Sequence, residues 1–349
     1  MDSPWNLAAL GYPMLHTQEV YAIHDTAESP RKILIDTDTA SDDAVALIMA
    51  LRSPKVRVLA ITVVAGNVSV EQGTRNALFS VELCGSPVPV FTGAAAPLAR
   101  PLEDASWFHG QDGLGDHGYQ PTSRAVESGF AVDAMVRMVE ANPGIELITL
   151  GPLTNLALAL RQSPNFAANV SRCVVMGGAP CCEGNVTPAA EYNFWVDPEA
   201  ARVVLRSQLP IELVGWQLSR GAAVVNGQEI ENILDLQTKF ADFAIRSNDT
   251  AARAYRTQTG EKGIALPDPT AMALLLDPAL SLLSSHHSMD VQVDSGITRG
   301  MSVVDRLNVA HDARNRAAWS DILEHGRKHK VIWEMDIPRW KQSLLQALR

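Results

Sequence analysis

Short, nearly unbroken apolar runs alternate with longer amphipathic stretches along most of the chain, and this alternation limits the fold more than any other feature. Residues 33–35, 56–64, 88–91, 145–150, 173–176 and 211–214 read as strands, apolar on both faces and mostly rich in β-branched residues. A strand buried on both faces belongs in a parallel sheet, because every parallel crossover needs a helix and the helices cover the sheet. The sequence therefore predicts an α/β fold: a doubly wound, mostly parallel open sheet flanked by helices, with a Rossmann-type core. Ligands of such sheets bind beyond the carboxyl ends of the strands, so polar clusters that directly follow these runs carry the most weight.

The later half changes character. Residues 229–256 read as one long helical stretch and 268–276 as a shorter one, with Asp268 before Pro269 a ready N-cap; 289–293 and 307–310 read as late strands. No Pro/Gly/Ser linker divides the chain, so residues 33–349 are expected to form a single domain behind an N-terminal extension, residues 1–32, that shows no clear period. The irregular segments 93–123 and 178–193 are long loops of the kind that carry function. At 46% hydrophobic and 19% charged, 349 residues can bury a large core, and a formal net charge of −10 argues against a nucleic-acid partner. No apolar run reaches the roughly 18 residues of a membrane span, and the N-terminus lacks a basic start followed by an apolar segment, so a cytoplasmic location is expected. Cys84, Cys173, Cys181 and Cys182 fit neither a disulfide framework nor a C-x-x-C zinc site and read as reduced thiols.

The chemistry concentrates where the first strand ends. Asp36 and Asp38 lie two apart, hence on one side of a strand, and Asp42 and Asp43 open the next helix, where the dipole favours negative charge. Four carboxylates at close range either raise one another's pKa or recruit a cation, and an all-oxygen ligand set favours calcium or magnesium over zinc. An EF-hand loop is excluded because its sixth position, a required glycine, is Ser41. A magnesium phosphohydrolase of the haloacid-dehalogenase type, with Asp36 as nucleophile, is the rival within this motif, although no phosphate-gripping glycine loop or downstream lysine motif accompanies it.

The Asp-x-Asp-x-x-x-Asp-Asp-Ala segment from Asp36 to Ala44 resembles the hallmark of the inosine–uridine-preferring nucleoside hydrolase family. Further ordered motifs are similar to that family: Ala65-Gly66-Asn67-Val68, the His109-Gly110 to Gly115 loop, Leu150-Gly151-Pro152-Leu153-Thr154-Asn155, Val175-Met176-Gly177-Gly178, the stretch from Gly184 to Ala200, and Pro267-Asp268. The resemblance covers roughly residues 33–345 and implies a calcium-dependent enzyme that hydrolyses the N-glycosidic bond of ribonucleosides to free base and ribose. It implies Asp38 as general base, taking a proton from a metal-activated water, and Asp38, Asp43, the Leu150 carbonyl and Asp268 as calcium ligands, with Asp36 supporting them. It further implies Asp42, Asn67, Asn185, Glu191, Asn193 and Asp268 as ribose contacts with Met176 beneath the sugar, and a homodimer or homotetramer. Trp107, Trp195 and Trp216 are its aromatic candidates for the base, and His109, Tyr255 and Arg256 its candidate proton donors. Two departures concern the leaving base: Pro267 replaces the histidine many members place before the last ligand, and the run from Val214 to Arg220 lacks the usual Asp-x-Thr. A non-catalytic nucleoside-binding protein of the same fold is therefore the alternative reading.

Overall fold

The computed structural model describes residues 29–349 apart from 122 and 295; the expected N-terminal extension lies, up to residue 28, outside the described residues. One half of the sheet is built by β1 (Arg31–Thr37), α1 (Ser41–Leu51), β2 (Val56–Val63), α2 (Val70–Leu83) and β3 (Val90–Thr92). After α3 (Ser106–His109) and α4 (Ala131–Ala141) the chain crosses back to β4 (Ile145–Thr149), α5 (Thr154–Gln162), β5 (Val170–Met176), α6 (Tyr192–Val196), α7 (Pro198–Leu205) and β6 (Ile211–Val214). Then come α8 (Gly227–Leu234), α9 (Lys239–Ser247), α10 (Asp249–Thr259) and α11 (Pro267–Leu276). The chain closes with β7 (Ser281–His287), β8 (Met289–Val291), β9 (Ser302–Val304), α12 (Arg316–His325), β10 (His329–Met335) and α13 (Ile337–Leu348).

The strands lie in the order β3-β2-β1-β4-β5-β6-β10-β7, and all pairs are parallel except β10 with β7. This is the doubly wound, mostly parallel sheet that the apolar runs predict. Strand order reverses between β1 and β4, and at such a switch point the loops part to leave a crevice above the carboxyl ends of the strands. Asp36 to Asp38 and Leu150 leave the sheet on either side of it, with Met176 at the end of β5 beside them.

Two helices bring carboxylates to that crevice. Residues Ser41 to Ala50 of α1 and Asp268 to Leu276 of α11 are all buried, so both helices are apolar on every side and core elements rather than surface ones. Their acids sit in the first turn, Asp42 and Asp43 on α1 and Asp268 on α11. The far end of α11 is anchored: Arg31 and Arg172 donate to the carbonyls of Leu274, Leu275 and Leu276, and both guanidinium groups pair with Glu146, at 2.6 and 3.5 Å. Cations at a helix C-terminus satisfy its open carbonyls and complement the dipole. Along its side, Trp340 Nε1 donates to Thr270 Oγ1 at 2.6 Å.

The structure corrects the later half. The expected long helix over 229–256 is three helices: Gln237 takes a left-handed conformation (φ +53°) before the Thr238 cap, and Asn248 turns the chain between α9 and α10. Residues 307–310 form no strand, because the Asp305 carboxylate accepts the N–H groups of Val309 and Ala310, both at 2.8 Å, and Asn308 is left-handed. The partner of β8 is instead β9. Helix α11 starts at Pro267, which puts Asp268 inside the first turn rather than at the cap. Strands β7 and β10 carried no expectation.

Candidate active site

At the base of the crevice five carboxylates, those of Asp36, Asp38, Asp42, Asp43 and Asp268, are almost wholly buried, and their hydrogen bonds divide them by role. Asp36 Oδ1 accepts from Thr62 Oγ1 at 2.6 Å and Asn155 Nδ2 at 2.8 Å, which locks it into the sheet. Asp43 accepts from Thr37 Oγ1 at 2.5 Å and from the Ala40 N–H at 2.9 Å, closing the start of α1. Asp38 has one tethered oxygen, Oδ2 on the Asn67 N–H at 2.6 Å, and one free oxygen. Gly66 and Gly151 make room for it: a Cβ on the first would stand 2.1 Å from Asp38 Oδ2, and on the second 2.8 Å from Oδ1.

Among the described residues, Asp38 Oδ1, Asp42 Oδ1 and Asp268 Oδ1 are buried with no hydrogen-bond partner. Asp42, Asp43 and Asp268 each offer an oxygen within 4.8 Å of the others. Burial pushes Asp36 and Asp42 up to about 7, and Asp38 and Asp268 well above the ordinary carboxylate range. Repulsion comes next in importance for three of them, from Asp43 on Asp38 and Asp42, and from Asp42, Asp43 and Asp38 on Asp268. Clustered anions with unspent acceptors in a dry place need protons or a hard cation, and an all-oxygen set of this kind suits the cation.

Above this floor opens a cavity whose lining includes Asp42, Asn67, His109, Leu150, Met176, Asn185, Glu191, Asn193 and Asp268, so nine of the residues expected to bind come together. Glu191 is the N-cap of α6; its carboxylate accepts the N–H groups of Gly178 at 2.7 Å, Asn193 at 2.9 Å and Phe194 at 3.3 Å, while burial pushes it up to about 7. Asn193 Nδ2 donates to the Leu150 carbonyl at 2.7 Å, and Asn185 Oδ1 accepts the Tyr192 N–H at 2.9 Å. His109 Nδ1 shares a 2.8 Å hydrogen bond with Ser41 Oγ, and burial holds the ring neutral, its pKa pushed down to about 3.

The candidates for the base side separate. Trp216 and Trp107 line the cavity, the first buried and the second 58% exposed. Trp195 does not line it; its indole packs at 6.4 Å from the Tyr192 ring, in a small cluster with Ala105 and Val196. Tyr255 is buried against Trp216 with its hydroxyl spent on Glu261, and Arg256 is exposed and outside the lining. Pro267 borders the cavity beside Asp268. Asn248, Gln258 and Tyr192 also line it without having been expected there. Tyr192 was open to detection, since it falls inside the Gly184 to Ala200 motif; its hydroxyl donates to the Gly66 carbonyl at 2.8 Å and so braces the turn under Asp38.

Fold and site together define a class: a doubly wound α/β protein that gathers unpartnered carboxylates at its switch point, beneath a cavity sized and lined for a small polar molecule. The chain belongs to the inosine-uridine preferring nucleoside hydrolase family, whose model matches residues 33–342, and it is a glycosidic-bond hydrolase of that type. It is 34% identical over 280 residues to the inosine-uridine preferring nucleoside hydrolase of Leishmania major, a match covering 79% of this chain and 88% of that one. To the pyrimidine-specific ribonucleoside hydrolase RihA of Salmonella typhi it is 35% identical over 297 residues, covering 84% and 94%. A solved plant nucleoside hydrolase matches with a TM-score of 0.85 at 33% identity, covering 91% of this chain and 99% of that one. The phosphohydrolase reading falls with this result. Asp36, Asp38 and Asp43 are wholly buried and outside the cavity lining, whereas Asp42 and Asp268 reach it. Among the described residues no helix is long and apolar enough to cross a membrane.

Proposed function

We propose that the protein hydrolyses the N-glycosidic bond of ribonucleosides to nucleobase and ribose, with calcium as cofactor and Asp38 as general base. The observation that carries this reading is the set of buried, unpartnered carboxylate oxygens on Asp38, Asp42 and Asp268, of which Asp42 and Asp268 line the cavity. Asp38, Asp43, the Leu150 carbonyl and Asp268 would hold the ion, with Asp42 contributing to the same negative field. When bound, calcium lowers the pKa of water and offers ligand positions to the vicinal hydroxyls of ribose. Asp38 is suited to receive the proton of the attacking water because Asn67 fixes Oδ2 and leaves Oδ1 as its single open acceptor. Asp42, Asn67, Asn185, Glu191 and Asn193 hold the sugar over Met176. The surrounding carboxylates favour the positive charge that develops on the ribosyl group in the transition state over the neutral substrate, which is the differential binding that catalysis needs. Of the three donor candidates, His109 alone lines the cavity, and we assign it to the leaving base as a hydrogen-bonding partner, its ring being neutral, rather than as a source of a proton. We also place the enzyme in the cytoplasm as a homodimer or homotetramer, in keeping with its four free cysteines and with the family.

Reducing-sugar release from a panel of purine and pyrimidine ribonucleosides, with matched chelator-treated samples, tests the reading. Calcium-dependent ribose release is the expected result. Tight calcium binding with no release from any nucleoside would move the protein to the non-catalytic, nucleoside-binding reading.

A further inference from the structure

Asn248 stands at the corner between α9 and α10 and is 1% exposed, yet it borders the cavity. Its backbone is fully engaged, the N–H donating to Ile245 and the carbonyl accepting from Ala252. The side-chain nitrogen is engaged too, donating to the carbonyls of Ala244 at 3.0 Å and Ser41 at 3.2 Å. These two carbonyl oxygens, the nearest neighbours of that nitrogen, only accept, and Ser247 Oγ lies farther off at 3.4 Å, so the amide cannot be turned over without setting oxygen against two carbonyl oxygens. What remains is Oδ1, buried and without a partner among the described residues. A buried acceptor left open in a cavity wall is matched to a donor that arrives with a ligand.

The place of Asn248 says which part of the ligand that is. Ser41 ties it to His109: the Ser41 carbonyl takes the Asn248 amide and the Ser41 hydroxyl bonds the imidazole. Asn248 thus shares a wall with the histidine assigned to the leaving base. The sugar hydroxyls already have acceptors in Asp42, Glu191 and Asp268. We propose that Asn248 determines specificity by accepting, through Oδ1, an N–H of the nucleobase edge remote from the glycosidic bond: a ring N–H next to a carbonyl, or an exocyclic amino group. The inference rests on the nucleoside reading above. Such a hydrogen bond is made alike in ground and transition states, so it acts on KM rather than kcat.

The test compares inosine, which carries a ring N–H, and adenosine, which carries an amino group, with purine riboside, which has neither, and with 1-methylinosine, whose N–H is blocked. The wild type is expected to show KM about tenfold lower for inosine and adenosine than for the other two. Asn248→Ala is expected to erase that gap by raising KM for the two donor-bearing nucleosides about tenfold while leaving purine riboside within twofold. Equal KM values across the four substrates in the wild type would overturn the proposal without recourse to the variant, as would an equal loss on every substrate in Asn248→Ala. If only pyrimidine nucleosides are cleaved, the same comparison is made between uridine, which carries a ring N–H, and 3-methyluridine, and equal KM values there would overturn the proposal. A wild type that releases ribose from neither the purine nor the pyrimidine nucleosides would overturn the nucleoside reading and this inference together.

Discussion

Asp38 shows how a residue can be costly to the fold and necessary to the reaction. Its carboxylate is buried, repelled by Asp43 and Asp42, and admitted only because residues 66 and 151 are glycines. Asp38→Asn keeps the shape, keeps an oxygen for the Asn67 N–H, and removes one charge from a crowded set. Turnover is expected to fall by about 10²–10⁴, the usual worth of a general base, and steady-state kinetics on the best nucleoside checks it. Calcium-free protein carrying the same change is expected to melt no lower than the calcium-free wild type, because the lost repulsion outweighs one lost charge-assisted hydrogen bond. A lower melting temperature together with unchanged kcat would mean that Asp38 serves the fold alone.

At the scale of elements, legibility followed burial. Strands β1 to β6 announce themselves as apolar runs because both faces are covered, whereas β7, Ser-Leu-Leu-Ser-Ser-His-His, lies at a half-exposed sheet edge and has no such signature. Residues 307–310 carried an apolar pattern that a nearby carboxylate overrode by capturing the backbone. The site was legible where its residues fall in ordered motifs near strand ends. Asn248 was not, since its meaning comes from a contact with Ser41, 207 residues away, and periodicity alone ran a helix straight through it. Strand β10 supplies a prediction of its own. His329, 1% exposed at its first position, donates from Nε2 to the Leu205 carbonyl at 2.7 Å, and its Nδ1 has no partner, so the ring is built in as neutral. Burial is the main reason its pKa is pushed down from 6.5 to about 4. The unfolded chain therefore takes up this proton first, and the contribution of His329 to stability, complete above pH 6.5, is lost as pH falls toward 4. Between pH 7.5 and 5 that loss is about 2 kcal/mol. Asp36 and Glu191, pushed up to about 7, act in the opposite sense and mask it in the wild-type curve. Urea titrations of the wild type and His329→Gln across this range isolate the group: the difference in unfolding free energy is expected to shrink by about 2 kcal/mol toward the acid side. Parallel curves would show that the imidazole titrates in the fold as it does in the unfolded chain.

For the molecule as a whole, the same carboxylates couple metal, stability and activity. Helices α1 and α11 are held in the core by apolar packing on every side, and α11 is pinned at its far end by Arg31 and Arg172, so their acidic first turns cannot drift apart to relieve repulsion. A cation that binds only where these turns converge must then stabilise the entire domain rather than a loop. By mass action, free calcium at 100 times its dissociation constant adds about 2.7 kcal/mol, which for 349 residues raises the melting temperature by about 4 °C. Differential scanning fluorimetry of chelator-treated protein against a calcium series measures this directly, and magnesium at equal concentration distinguishes the two hard ions. Asp268→Ala removes a ligand and a source of repulsion at once: its chelated form is expected to melt at or above the chelated wild type, and its calcium response to shrink to within a degree or so of zero at the concentration that raises the wild type by about 4 °C. A full calcium response in Asp268→Ala would place the ion elsewhere. No response in the wild type would leave the buried carboxylates to be neutralised by protons, and would remove calcium from the proposed reaction.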